Sequence, residues 1–277
     1  MKFKVERKHL VDGLKRFVSR GRLSLLGKDV EQIRYAKIQT QGDFVMFAGS
    51  DQSVVICAKL TIPATVEEAG EAIIGDILSL HDCITDYKGE MLEITIDENA
   101  IYVNDGKAED KLGVEVVALK TPFKQWLDTI TVVAGIPHFQ HPKDENIQYD
   151  YIPWFEISKG EELNKVQKKA INKIRTQEIF VNTVDQLTIF CENKGISRES
   201  TVPYESKISE EVGFMLVNIF PVLNNLRGPS YFMYYVTEEK GVLRLWIHNG
   251  DMDWMVRCSG QNKPEPIPEQ DGDDKDE

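Results

Sequence analysis

IQTQGDFV, residues 38–45, and IRTQEIFV, residues 174–181, are nearly the same phrase written twice in one chain. Each reads as the start of a strand. Eight residues alone decide nothing, so the flanks of each phrase must show whether a larger unit repeats.

Around the first phrase, MKFKVE (1–6) alternates Phe3 and Val5 with charged neighbours, the mark of a half-exposed strand. RKHLVDGLKRFVSR (7–20) then spaces Leu10, Leu14, Phe17 and Val18 on one helical face. The opposite face carries Arg7, Lys8, Lys15 and Arg16, with Arg20 and Arg22 beyond and Asp12 as the dissenting charge. Gly13 costs about 1 kcal/mol relative to Ala inside a helix, so this helix must lean on tertiary packing. Strands IRYAKIQT (33–40), DFVMFAGS (43–50) and QSVVICAKL (52–60) follow, the last two a hairpin turning at 49–51. EAIIGDILSLHDCITDY (71–87) aligns Ile73, Ile77, Leu80 and Ile84 as a second amphipathic helix. EMLEITID (90–97) and NAIYVND (99–105) form another hairpin, and KLGVEVVAL (111–119) runs extended.

The second half replays this order. Thr121 is a helix N-cap with Pro122 at the first helical position, and Phe123, Trp126, Leu127 and Ile130 form the apolar face. IRTQEIFVNT (174–183) and QLTIFCEN (186–193) make a hairpin turning at Val184-Asp185, followed by the strand GISRESTV (195–202). EEVGFMLVNIFPVLNNL (210–226) places Val212, Met215, Ile219 and Leu223 in helical register, with Pro221 shortening its end. SYFMYYVTEEKGVLRLWIH (230–248) is a hairpin, and MDWMVRCS (252–259) is the last strand. Phe44-Val45 thus answers Phe180-Val181, and Asp51-Gln52 answers Asp185-Gln186. The chain reads as an α+β protein of two tandem copies, residues 1–113 and 114–260. An insertion at about 135–172 ends in a basic piece with Lys165, Lys168, Lys169 and Lys173. A loop of that length is functional or mobile. Residues 261–277 have the composition of a disordered acidic tail.

The chain has 277 residues, 42% hydrophobic and 28% charged, with a net charge of −12. An acidic balance argues against nucleic acid at first, but the tail from Lys263 to Glu277 alone carries −5, and the basic residues elsewhere are clustered. No apolar run is long enough for a membrane span and the start lacks the apolar core of a signal peptide, so a cytoplasmic protein is expected. Cys57, Cys83, Cys191 and Cys258 are scattered through apolar stretches without CxxC spacing, the pattern of buried free thiols.

The element order, with MKFKVERKHL (1–10), LEITIDENAIYVNDG (92–106) and VEVVALKTPFKQWLDTI (114–130), resembles the DNA sliding clamps. The start is most similar to the beta subunit of bacterial replicative polymerases. The length departs from it: bacterial beta subunits hold three such domains and dimerise, whereas this chain has room for two, as in the proliferating cell nuclear antigen type and some phage clamps. The resemblance implies clamp-type domains with antiparallel sheets outside and helices inside a ring. It implies six domains per ring, hence a homotrimer, and a phage or mobile-element source. Its partners would be double-stranded DNA, a DNA polymerase and a clamp loader, with no cofactor. The alternative is a monomeric or heteromeric clamp-like accessory factor.

On this resemblance the DNA face comprises Arg7, Lys8, Lys15, Arg16, Arg20, Arg22 and Lys88 in the first copy, with Lys124, Lys165, Lys168, Lys169, Lys173 and Arg227 in the second. Such residues would attract phosphates without reading bases; a solvated helix face is the plain alternative. A partner-peptide pocket would draw on Val114, Val116, Leu119, Trp254, Met255 and Val256, which equally suit a core. The insert's Tyr149, Tyr151, Trp154 and Phe155 suit either a partner surface or a loop pinned to its own domain. No catalytic constellation appears. His138 and His141, near Asp144, Glu145 and Asp150, lack the helical i, i+4 spacing of a HExxH zinc site.

Overall fold

Phe3 and Val5, the apolar residues of the opening alternation, are buried on β1 (Lys2–Glu6), while Lys2 and Lys4 reach Glu67 and Glu93 on the other face. The structure, a computed structural model, describes residues 1–17, 33–50, 56–113, 130–133, 136–140, 148–150, 152–163, 165, 180–182, 187–193, 196–202, 205–206, 213–215, 220–223, 225–236 and 242–260.

The helix α1 (Arg7–Phe17) follows β1 directly and buries Leu10, Leu14 and Phe17. Its glycine is explained by packing: a Cβ on Gly13 would come within 2.9 Å of a methyl of Leu60. Close approach to the sheet therefore offsets the helix-propensity cost. β2 (Ala36–Gln41), β3 (Phe44–Ser50) and β4 (Ile56–Glu68) form an antiparallel meander, and the far end of β4 returns to pair with β1.

The sequence predicts one helix over 71–87; the structure divides it. β5 (Glu71–Ile74) pairs with β2, and α2 (Ile77–Asp86) begins only after Asp76. The Asp76 carboxylate accepts from the backbone N–H groups of Leu78 and Ser79, each at 3.1 Å. That cap stops the helix from extending back into 71–74, where β-branched Ile73 and Ile74 take a strand instead. β6 (Met91–Ile96), β7 (Ala100–Asn104) and β8 (Glu109–Gly113) complete the first copy, with β6 lying against β1.

Next comes a separate three-stranded sheet of β9 (Ile130–Val133), β10 (Ile136–Gln140) and β11 (Gln148–Asp150). Ile130 therefore opens a strand rather than ending a helix. The chain then runs through β12 (Ile152–Ile157), β13 (Phe180–Asn182), β14 (Leu187–Asn193), β15 (Ile196–Val202), β16 (Glu205–Ser206) and β17 (Gly213–Met215). A short helix at Phe220–Leu223 leads into β18 (Ser230–Val236), β19 (Val242–Asn249) and β20 (Met252–Gly260).

The two halves share one topology. The pairings β1–β4, β1–β6, β2–β3, β3–β4, β2–β5, β6–β7 and β7–β8 recur as β12–β16, β12–β18, β13–β14, β14–β15, β13–β17, β18–β19 and β19–β20. β15 and β16 together stand for the single long β4. The module is built twice.

The phrase that suggested this is nevertheless out of register. Phe44 and Val45 belong to β3, whereas Phe180 and Val181 belong to β13, the counterpart of β2. Neighbouring strands of a meander share the same period-two alternation, so a short match cannot tell one from the next. The second copy also opens later than the sequence predicts. Its first strand is β12, inside the stretch read as an insertion, because β12 makes both pairings that β1 makes. Finally, the helix expected over 210–226 contains a strand, Gly213–Met215, held between β13 and β20. Pairing on both sides overrides the helical spacing there, and Pro221 sits in the first turn of the short helix that remains.

Candidate nucleic-acid interface and the joint between the copies

On α1 the side chains of Lys8 and Lys15 are exposed, Asp12 is exposed beside them, and Arg7 is half-buried. The Arg7 guanidinium donates to the Gly89 carbonyl at 3.0 Å, which ties the start of α1 to the loop after α2. α2 packs against α1 and carries no Lys or Arg; its exposed residues are Ser79, Asp82, Thr85 and Asp86, followed by exposed Lys88. Among the described residues of this helical layer, exposed Lys8, Lys15 and Lys88 therefore share the surface with exposed Asp12, Asp82 and Asp86. A duplex would meet a mixed surface here rather than a uniformly basic one. Lys165 and Arg227 are exposed as well. Arg20, Arg22, Lys124, Lys168, Lys169 and Lys173 lie outside the described residues.

Arg16 does not join that surface. It is 8% exposed and points into the second copy. Its Nη1 donates to Asp251 Oδ1 at 2.7 Å, Nη2 to the Asn249 carbonyl at 3.0 Å and to Asn249 Oδ1, and Nε to the Asn225 carbonyl at 3.3 Å. The guanidinium carbon also lies 5.6 Å from the ring centroid of Trp254. Burial lowers the Arg16 pKa, opposed by the charge of Asp251. Arg16 is thus a pin between the copies, its guanidinium engaged by the second copy. The helical pattern placed it on the polar face; the nearness of the last turn of the second copy is not visible in a pattern.

Asn249 organises the socket around this pin. Its Nδ2 donates to the carbonyls of Arg227 (2.7 Å) and Pro229 (2.8 Å) and to Ser230 Oγ (2.9 Å), while its Oδ1 accepts from the Arg227 N–H at 3.1 Å. It is 1% exposed with its amide fully used, so a buried polar group is well satisfied.

The joint itself is a continuous sheet. β20 pairs with β19 on one side and with β4 of the first copy on the other, Trp254 opposite Ala58 and Met255 opposite Cys57. Trp254, Met255 and Val256 are 2%, 3% and 0% exposed. They form the core of the joint. Val114, Val116 and Leu119 lie outside the described residues. Burying each large apolar side chain contributes roughly 1.5–3 kcal/mol, so this joint is far from a loose linker. A polar row crosses the same three strands: His248 Nδ1 lies 2.8 Å from Asp253 Oδ1, Trp246 Nε1 donates to that oxygen at 3.3 Å, and Lys59 Nζ is 3.6 Å from Asp253 Oδ2.

His138 and Asp150 are backbone partners across β10 and β11, while His141, Asp144 and Glu145 lie outside the described residues. No described helix is long and apolar enough to cross a membrane.

No protein-family model matches the chain, and no curated protein matches it. Solved structures do. The DNA polymerase sliding clamp from Bacillus subtilis superposes with a TM-score of 0.65 at 14% identity, over 97% of this chain and 68% of that one. The Helicobacter pylori beta clamp in complex with 5-chloroisatin gives 0.62 at 13% identity, over 97% and 67%. The same clamp bound to a DNA ligase peptide gives 0.61 at 13%, over 98% and 70%. The chain thus spans about two thirds of the length of these clamps. Over nearly its whole length, it has the fold of the bacterial DNA sliding clamps.

Proposed function

We propose that this protein is a sliding clamp that closes into a ring around duplex DNA and tethers a replicative DNA polymerase. The observation that carries this is the β4–β20 joint. It uses the edge β4 of the first copy and the edge β20 of the second. The counterparts of those strands, β15 and β8, have no such neighbour among the described pairings. Two equivalent edges of opposite type at the two ends of a duplicated chain favour head-to-tail association. Pairing also removes exposed strand edges. Three copies would supply the six modules that the sliding-clamp likeness implies.

In such a ring, residence on DNA comes from topology rather than from tight binding. Weak, salt-sensitive contacts from residues such as Lys8 and Lys15 suffice, and acidic neighbours such as Asp82 keep them weak enough to permit sliding. A loader is the class of partner that would open the ring, and the source would be a phage or mobile element. No reaction chemistry is assigned to the chain.

Two measurements test this. Light scattering should give three times 31.6 kDa at micromolar concentration. Protein loaded on nicked circular DNA should stay bound in high salt and be lost when the circle is cut. A monomer at every concentration, or equal retention on circular and cut DNA, rejects the ring.

A further inference from the structure

The exposed large apolar side chains among the described residues are Phe44 (48%), Met91 (49%) and Tyr231 (41%). Two of them share one row of the first copy's sheet. Met91 lies opposite Glu6 in the β1–β6 pairing, and Phe44 lies opposite Pro63 in the β3–β4 pairing. Val5 lies opposite Ala64, so the next step along β1 and β4 sets Glu6 beside Pro63. The row therefore reads Phe44, Pro63, Glu6, Met91 across β3, β4, β1 and β6, and all four residues are exposed. Their chain neighbours Val45, Ile62, Val5 and Leu92 are buried, and α1 packs on the Leu60 and Ile62 side. The row faces away from the helices.

The module does not need this surface. Arg7 N–H, at the start of α1, donates to the Glu90 carbonyl at 2.8 Å. Gly160 N–H, the first helical residue after β12, donates to the Gly228 carbonyl at the same distance. Glu90-Met91 in the first copy thus stands where the second copy has Gly228-Pro229. The same sheet is built there with neither the carboxylate nor the long apolar side chain.

Charge is arranged around the apolar residues. Asp43 precedes Phe44, Glu90 precedes Met91, and Glu6 lies between the two in the row; all three acids are exposed. Among the described residues Asp43 and Glu90 make no ion pair, and Glu6 meets only exposed His9, its Oε2 3.3 Å from Nδ1. Lys4, next to Glu6 on the same face, is held by Glu67 at 2.6 Å and Glu93 at 3.4 Å. Arg7 turns to the Gly89 carbonyl. Exposed Lys88, two residues before Glu90, offsets only part of the acidity.

We propose that this row is a docking site for an extended segment of a partner protein that carries a Lys or Arg between two apolar side chains. The row is complete within one chain and does not depend on ring closure. From β3 to β6 is three strand gaps, roughly 14 Å at about 4.8 Å each. An extended segment rises about 3.3 Å per residue, so side chains four apart share a face and span nearly that distance. One apolar side chain then rests on Phe44 and Pro63 and the other on Met91, residue types suited to such contacts. The basic residue midway falls over Glu6. A second copy of this face is a poor occupant, because carboxylates would oppose carboxylates; anionic lipid and nucleic acid are disfavoured for the same reason.

The test is fluorescence anisotropy of the full-length protein with a labelled peptide, Gly-Ser-Phe-Ser-Lys-Ser-Leu-Ser-Gly. Binding should saturate and should weaken about tenfold when the peptide's Lys becomes Glu. Phe44→Ser and Met91→Ser should each weaken it about fivefold or more, and Glu6→Lys should reverse the preference toward the Glu peptide. All three positions are exposed, and thermal unfolding confirms that each variant is folded. The site is rejected if the peptide does not saturate up to millimolar concentration, if the Lys and Glu peptides bind alike, or if Phe44→Ser and Met91→Ser leave binding unchanged. A fall in assembly mass by light scattering in those two variants also overturns it, since the row would then be a contact between copies. None of these outcomes bears on retention of the protein on circular DNA, so the ring reading stands or falls separately.

Discussion

The Arg16 guanidinium on the first helix of the first copy stands 2.7 Å from the Asp251 carboxylate in the last turn of the second copy. The contact spans 235 positions of sequence, and each partner sits beside a strand of the β4–β20 joint. Rigid modules are useless to a ring if the hinge between them bends. A pin of this kind fixes the angle at which one module presents the next.

Removing the pin should therefore cost stability and leave DNA contacts alone. Arg16→Met strands Asp251 and the carbonyls of Asn225 and Asn249, which should lower the unfolding free energy by about 2 kcal/mol in urea titrations. The upper range for a buried pair does not apply, because the Asp251 side chain is 36% exposed. Arg16→Lys should recover little, since an ammonium cannot reproduce the planar fork that reaches several acceptors at once. A loss of DNA affinity as large as that of Lys15→Ala, with stability intact, would return Arg16 to the DNA face.

Much of this fold is legible in the alternation of its strands, and the duplication is legible in their order. What the pattern does not carry is register. The likeness of 38–45 to 174–181 compares β3 with β13 because any two strands of a half-buried meander repeat the same period. For the same reason the second copy's true first strand, β12, reads as loop: Pro153 breaks its alternation and an aromatic pair follows. Arg16 shows the companion limit for the site. Helical spacing sorts polar from apolar faces, but a polar face can be consumed by another domain, and only the joint reveals that Asn249 and Asp251 wait there.

Lys8 and Lys15 should govern attraction to DNA. Replacing both with Ala should weaken binding to short duplexes of any sequence by the same factor. It should also lower the slope of log affinity against log salt by about 0.9 for each phosphate that is no longer neutralised. Asp82→Asn on the neighbouring helix should do the reverse and strengthen binding at low salt. Fluorescence anisotropy over a salt series checks both; an unchanged slope in the double variant removes α1 from the DNA face.

Cys83 should be a sluggish thiol. Burial, and then the nearby charge of Asp110, push its pKa up to about 11, with Sγ 3.8 Å from Asp110 Oδ2. Because the thiolate is the nucleophile, alkylation at neutral pH should be slow, and Asp110→Asn should speed it. Peptide mapping after timed iodoacetamide treatment reads the rate at this one residue. Rapid labelling in the unaltered protein would contradict the placement of Asp110 against the thiol.

His248 should make the fold weaken as pH rises past its raised pKa. Its hydrogen bond to Asp253 raises its pKa above the ordinary 6.5, against burial and the opposing charge of Lys59. The folded protein therefore holds a proton that the unfolded chain releases more readily, and stability falls as pH increases wherever the folded state binds more protons. The contribution is complete below about pH 6.5 and fades as pH climbs past the raised value. His248→Gln cannot be charged, so its deficit relative to the unaltered protein should be largest in mild acid and shrink toward alkaline pH. Paired urea titrations across that window decide the matter: a deficit that grows with pH would mean that His248 is held neutral in the fold, contrary to its place beside Asp253.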